Sequence, residues 1–203
     1  MSKAIMISIK PKWCAKIMNG DKTIEVRKNK ALASAIQKLI DENGYADIYV
    51  YCTKALTRLY GEQSPFIENH LNYFADDFSE GLDSNDTGFL NGKVIFKFRC
   101  YKVEEIKYDE KSLTCYTECM NYIKLQLRSC LDLEEIHLYL KGKKSYVIHI
   151  SDLEIFDKPK ELYEFESTKQ HLVDVGQIQP ILQNIRLTKA PKNFCYIEVE
   201  DND

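Results

Sequence analysis

The stretch from Ile5 to Lys28 constrains the chain most, because it reads as strand, helix, turn and strand in immediate succession. Ile5, Ile7 and Ile9 alternate with Met6, Ser8 and Lys10, the period-two pattern of a half-buried strand. Pro11 cannot continue a ladder but suits the first turn of a helix. Cys14, Ile17 and Met18 follow at helical spacing, and Asn19-Gly20 offers the left-handed residue that stops the helix. Beyond the turn, Ile24 and Val26 point one way while Thr23, Glu25 and Arg27 point the other. A carboxylate and a guanidinium then stand about 7 Å apart at their backbone origins, with Lys22 at the mouth of the strand. Such an array beside a helix end is a candidate site for an anion or a nucleobase. The plainer alternative is a solvated strand face, on which a Glu25–Arg27 pair is worth well under about 1 kcal/mol.

Charge is distributed unevenly. The chain of 203 residues carries a net charge of −3, which argues against a broadly basic nucleic-acid coat. Residues 1–30 nevertheless carry +6, and residues 61–90 carry −7 with no lysine or arginine. The charged strand thus lies in a basic neighbourhood adequate for a local phosphate site. No apolar run reaches the length of a membrane span, and the N-terminus lacks a signal-peptide core. The seven cysteines are therefore expected to be reduced thiols in a cytoplasmic protein. Cys115 and Cys119 are one helical turn apart, but no further ligand completes a metal set, so neither metal nor cofactor is expected.

Length and apolar content suit one domain, residues 1–203, with an acidic helical insertion over 61–91. Leu32, Ala35, Ile36, Leu39 and Ile40 form an amphipathic helix closed by Gly44. In the strand from Asp47 to Thr53, Tyr49 and Tyr51 share a face, either to stack on a base or to pack under a covering helix. Ser64-Pro65 opens a helix with Ile67, Leu71, Phe74 and Phe78 on one side. A strand from Gly92 presents Lys97 and Arg99, and Tyr116, Met120, Ile123 and Leu127 recur at helical spacing. Asp132 and Glu135 form a capping box, and Tyr146 to Phe156 is one strand carrying His149 and Ser151. With no orienting acid evident in the sequence, His149 reads as a structural histidine. Glu161 to Gln179 reads as loop with a short helix, and Asn193 to Val199 as the last strand.

Gly20-Asp21-Lys22-Thr23-Ile24-Glu25-Val26-Arg27 resembles the G-x-K-x-x-E-x-R signature of ASCH domains, in the PUA-like superfamily. Ile7 to Pro11, Tyr146 to Lys160 and Arg186 to Tyr196 are similar to further segments of longer bacterial and phage members. The resemblance implies an α+β fold: a PUA-like mixed β-barrel of five or six strands, its ends covered by helices. It implies RNA or nucleotide recognition beside the signature strand. Lys22 and Arg27 would hold phosphate or carbonyl oxygens, Glu25 would accept from a base amino group or orient Lys22, and Ser8, Lys10 and Trp13 would complete the wall. Some family members are amidohydrolases acting on N4-acetylcytidine and others cleave RNA, which makes Lys22 and Glu25 candidate catalytic residues. The chain departs from the amidohydrolases in one respect: Glu25 occupies the position of their threonine, three residues after the lysine. Three functions follow as alternatives: an RNA- or nucleoside-binding module, a metal-independent amidohydrolase or ribonuclease, and a phage-type inhibitor acting through its acidic segment.

Overall fold

The computed structural model describes residues 2–63, 71–76, 89–109, 114–140, 143–173 and 181–200. The expected α+β class is what forms, with helices laid on a mixed sheet. The opening stretch folds as its pattern dictates, into β1 (Ser2–Ile9), α1 (Pro11–Met18) and β2 (Ile24–Arg27). Next come α2 (Lys30–Asn43) and β3 (Ala46–Cys52). Asn29 caps α2 by accepting from the Leu32 N–H, and Gly44 ends it at φ 83°. Without a Cβ, glycine takes this left-handed conformation at no steric cost.

The short strands β4 (Arg58–Gln63) and β5 (Leu71–Asp76) pair antiparallel. Leu71 and Phe74, expected on a helix, therefore lie on a strand. Their spacing fits a helix face, but cross-strand partners such as Tyr60 opposite Phe74 fix the extended form. The remainder of the helix expected from Ser64, with Ile67 and Phe78, and most of the acidic stretch lie outside the described residues.

Then follow β6 (Val94–Cys100), β7 (Val103–Asp109), β8 (Thr114–Tyr116), α3 (Tyr122–Ser129) and α4 (Leu133–Leu140). Tyr116, expected on the helix of Ile123 and Leu127, belongs to β8, and α3 starts only at Tyr122, where Asn121 caps it. The chain ends with β9 (Ser145–His149), β10 (Ser151–Lys160), β11 (Glu166–Val173), β12 (Ile181–Arg186) and β13 (Phe194–Val199). The single strand expected over Tyr146 to Phe156 is two, broken at Ile150, with Asp152 at φ 45°. The break passes the chain from one sheet to the other. Part of the loop expected after Glu161 is instead β11.

Seven strands make one sheet in the order β10-β6-β3-β1-β13-β11-β12, and β2-β9-β7-β8 make a second. Within the large sheet β1 and β3 are parallel, which requires the crossover through α1, β2 and α2. This pair is buried on both faces. Ile5, Ile7 and Ile9 enter the main core under the helices, together with Phe96 and Phe98. Ala4 and Met6 enter a second layer with Tyr49, Tyr51, Phe165 and Ile197, so β1 is more deeply buried than its alternation suggests. Each large side chain so buried contributes about 1.5–3 kcal/mol. A third cluster, with Ile24, Val26, Leu125, Ile136 and Val147, fastens β2 to α3 and α4. No helix among the described residues is long and apolar enough to cross a membrane.

Candidate nucleotide-binding cleft

The turn after α1 places Lys22. Gly20 takes φ 81°, and the Lys22 N–H donates to the Lys16 carbonyl at 2.9 Å, folding the chain back into β2. The end of α3 docks at the same point: the Thr23 N–H donates to the Arg128 carbonyl at 3.0 Å, and Arg128 Nε donates to Thr23 Oγ1 at 2.9 Å. Lys22 Nζ donates to the Ser129 carbonyl at 2.9 Å. The ammonium thus sits at the negative end of α3, where the last carbonyls lack helical partners. Cys130, at φ 55°, closes that helix.

Lys22 is 3% exposed and Glu25 7% exposed, so this is not the solvated strand face that spacing alone allowed. Lys22 Nζ lies 3.3 Å from Glu25 Oε2, and Arg27 Nε lies 2.8 Å from Glu25 Oε1. The Arg27 contact is an ion pair by distance, but its N–H is not aligned as a hydrogen bond. Arg27 Nη2 donates to the Ser8 carbonyl at 2.8 Å. Both carboxylate oxygens of Glu25 are therefore engaged by cations, which compensates its burial. Lys22 Nζ also stands 5.2 Å from the centroid of Trp13, and Lys12 Nζ 4.7 Å from it. Both distances are within cation–π range.

These groups line a cleft of about 620 Å³. Its wall includes every residue expected from the sequence, Ser8, Lys10, Trp13, Lys22, Glu25 and Arg27. Ser8 does something other than was expected of it: its hydroxyl donates to the Pro191 carbonyl at 2.8 Å, fastening the segment that brings Lys192 to the rim. Thr23 spends its hydroxyl on Arg128 and is not among the lining residues.

Sequence reading missed Thr53, Glu135, Tyr139 and Lys192, which also line the cleft. The capping box was the one available signal for the α4 contribution. It forms reciprocally, the Glu135 N–H donating to Asp132 Oδ1 at 2.7 Å and the Asp132 N–H to Glu135 Oε2 at 3.1 Å. Burial raises the Tyr139 phenol above its ordinary value, with Arg27 opposing and Glu25 reinforcing the shift. Lys28 Nζ lies 4.3 Å from the Tyr139 ring centroid. Beneath the wall, burial, assisted by the neighbouring Cys52 and Glu25, pushes the Cys14 thiol well above its usual range.

Other candidates fall elsewhere. Tyr49 and Tyr51 are buried, Tyr49 lying 5.4 Å from Phe165 and 6.0 Å from Phe156 between ring centroids. What covers them is the chain around β10 and β11, including Leu162 of the single-turn 3-10 helix Leu162–Glu164, rather than a long helix. Lys97 pairs with Glu154 at 3.0 Å and Arg99 with Asp47 at 3.4 Å, both away from the cleft. His149 has an acid partner after all: its Nε2 lies 2.6 Å from Glu104 Oε2. Among the described residues no group of three or more histidine, cysteine or acidic side chains is arranged to hold a metal ion.

No family model matches the chain, and no curated protein matches it. Among solved structures, it is similar to ASCH from Zymomonas mobilis, with 16% identity over 92% of this chain and 88% of that one, at a TM-score of 0.44. A point mutant of the same protein aligns with 16% identity over 92% and 89%, at a TM-score of 0.45.

Proposed function

We propose that the chain is an RNA- or nucleoside-binding module of the ASCH type that takes its ligand in the cleft beside β2. The observation that carries this reading is the buried Lys22–Glu25–Arg27 array in a cleft that also holds the only tryptophan of the chain. A buried array of this kind is rigid, and it presents acceptor and donor groups in fixed positions to a base edge. Trp13 and Tyr139 supply aromatic surface, on which any base can stack. Lys10 and Lys192 form no ion pair among the described residues and are available to phosphates. The G-x-K-x-x-E-x-R resemblance points to the same strand independently of this geometry.

Calorimetric titration with cytidine, N4-acetylcytidine and a short single-stranded RNA tests the reading, with chromatography of each recovered ligand. Saturable binding that is lost in Arg27→Met and returns the ligand unchanged supports a binding module. Conversion to cytidine or to shortened RNA replaces it with the hydrolase reading, in which Lys22 and Glu25 act on the ligand. No heat with any of the three, from folded protein, overturns it.

A further inference from the structure

A second cluster of reactive side chains lies away from the cleft. Cys119 is exposed, just beyond β8, and Lys102 lies just before β7. Lys102 Nζ is 2.7 Å from Cys119 Sγ. Another nitrogen–sulfur contact, Arg128 Nη1 to Met120 Sδ, is 3.6 Å, and the Cys100, Cys14 and Cys130 sulfurs stand 3.2, 3.7 and 3.9 Å from their carbonyl partners. The Lys102–Cys119 pair is thus drawn closer than a hydrogen bond to sulfur requires. It is also held from behind. The Cys119 N–H donates to Glu104 Oε1 at 3.1 Å, Lys102 Nζ lies 3.6 Å from the same oxygen, and Glu104 Oε2 meets His149. Glu104 is buried and His149 nearly so, which fixes both ends of the pair on one anchored carboxylate.

We propose that Lys102 and Cys119 form a reversible covalent bridge through one oxygen atom, Nζ–O–Sγ, when the protein meets an oxidant. The separation is what two single bonds through one oxygen span. Dioxygen serves as oxidant: a neutral amine, a thiol and one dioxygen give the N–O–S link and one water. Nitrogen and sulfur each give up two electrons, one oxygen atom stays in the bridge, and the other leaves as water with the two displaced hydrogens. Lys102 first releases its ammonium proton to solvent. Four thiol equivalents reverse the link. Attack at sulfur leaves the oxygen on nitrogen as a hydroxylamine and frees the cysteine through a mixed disulfide; further thiols reduce the hydroxylamine to the amine, giving one water and two disulfides in all. The bridge ties the segment entering α3 to the start of β7. Because α3 presents the Ser129 carbonyl to Lys22, the tie reaches the support of the cleft without touching its wall.

Intact-mass measurement of the full chain before and after exposure to air tests this. The bridge adds one oxygen and removes two hydrogens, a gain of about 14 Da, removable by dithiothreitol. The gain is expected in the unmodified chain, absent from Cys119→Ser and from Lys102→Arg, and peptide mapping is expected to join residues 102 and 119. Both positions are exposed, so the variants keep their fold, and Lys102→Arg keeps the charge. A gain of about 16 or 32 Da with Lys102 free means ordinary sulfur oxidation and overturns the bridge. No gain, or a gain of about 14 Da that survives in Lys102→Arg, overturns it equally.

Discussion

At the scale of single residues, the buried charges of the cleft carry the sharpest expectations. Removing Lys22 leaves Glu25 buried with one cation instead of two, and a buried pair broken on one side costs about 3–5 kcal/mol. Urea unfolding of Lys22→Met is expected to show a loss of that order. The Lys22→Met/Glu25→Gln double variant is expected to lose less than the sum of the singles, because the two side chains are in contact. Glu104 gives a pH expectation. Burial raises its pKa, but hydrogen bonds from His149, Thr117 and Cys119 outweigh burial and hold it below the ordinary 4.5. A carboxylate depressed in the folded state contributes stability that is present above its unfolded value and lost as pH falls through the folded one. Unfolding midpoints should therefore fall steeply below about pH 4.5, and less steeply in Glu104→Gln. The signature strand was legible because its chemistry is contiguous in sequence. His149's acid was not, since Glu104 meets it only through the pairing of β7 with β9.

At the scale of elements, the two short helices α3 and α4 decide how well the cleft is formed. Cys130 holds a left-handed conformation that glycine adopts without strain, so Cys130→Gly is expected to raise stability by about 0.5–1 kcal/mol in urea unfolding. Asp132→Ala removes the acceptor for the Glu135 N–H and is expected to cost about 1 kcal/mol. Since α4 carries Tyr139 to the cleft, the same variant is expected to weaken ligand binding in the calorimetric titration. Strong local signals were read correctly: Pro11, Gly20, Gly44 and the capping box all stand where their chemistry put them. The failures share one cause. Leu71 with Phe74, and Tyr116, fit a helix by spacing, yet lie on strands because cross-strand pairing outweighs a short periodic match.

At the scale of the whole molecule, the cleft is a meeting of distant segments. β1 and α1 bring Lys10 and Trp13, β2 brings the charge array, α4 brings Tyr139, and the segment before β13 brings Lys192. No periodicity reports that assembly, which is why Tyr139 and Lys192 were invisible in the sequence while Lys10 and Trp13 were found beside the signature. The chain is acidic overall, so the proposed binding of RNA rests on this local surface, and it is expected to weaken as salt rises. Lys10→Ala and Lys192→Ala should each lower the salt slope of RNA binding by about 1. The central claim is that the ligand enters this cleft, and Trp13 offers a direct report because the chain has no other tryptophan. The decisive measurement is its fluorescence during titration with a short single-stranded RNA, in the unmodified protein and in Lys10→Glu/Lys192→Glu. A saturable change in the first, shifted to much higher RNA concentration in the second with circular dichroism unaltered, is the predicted result. RNA binding that leaves Trp13 fluorescence untouched, or an identical titration in both proteins, contradicts it.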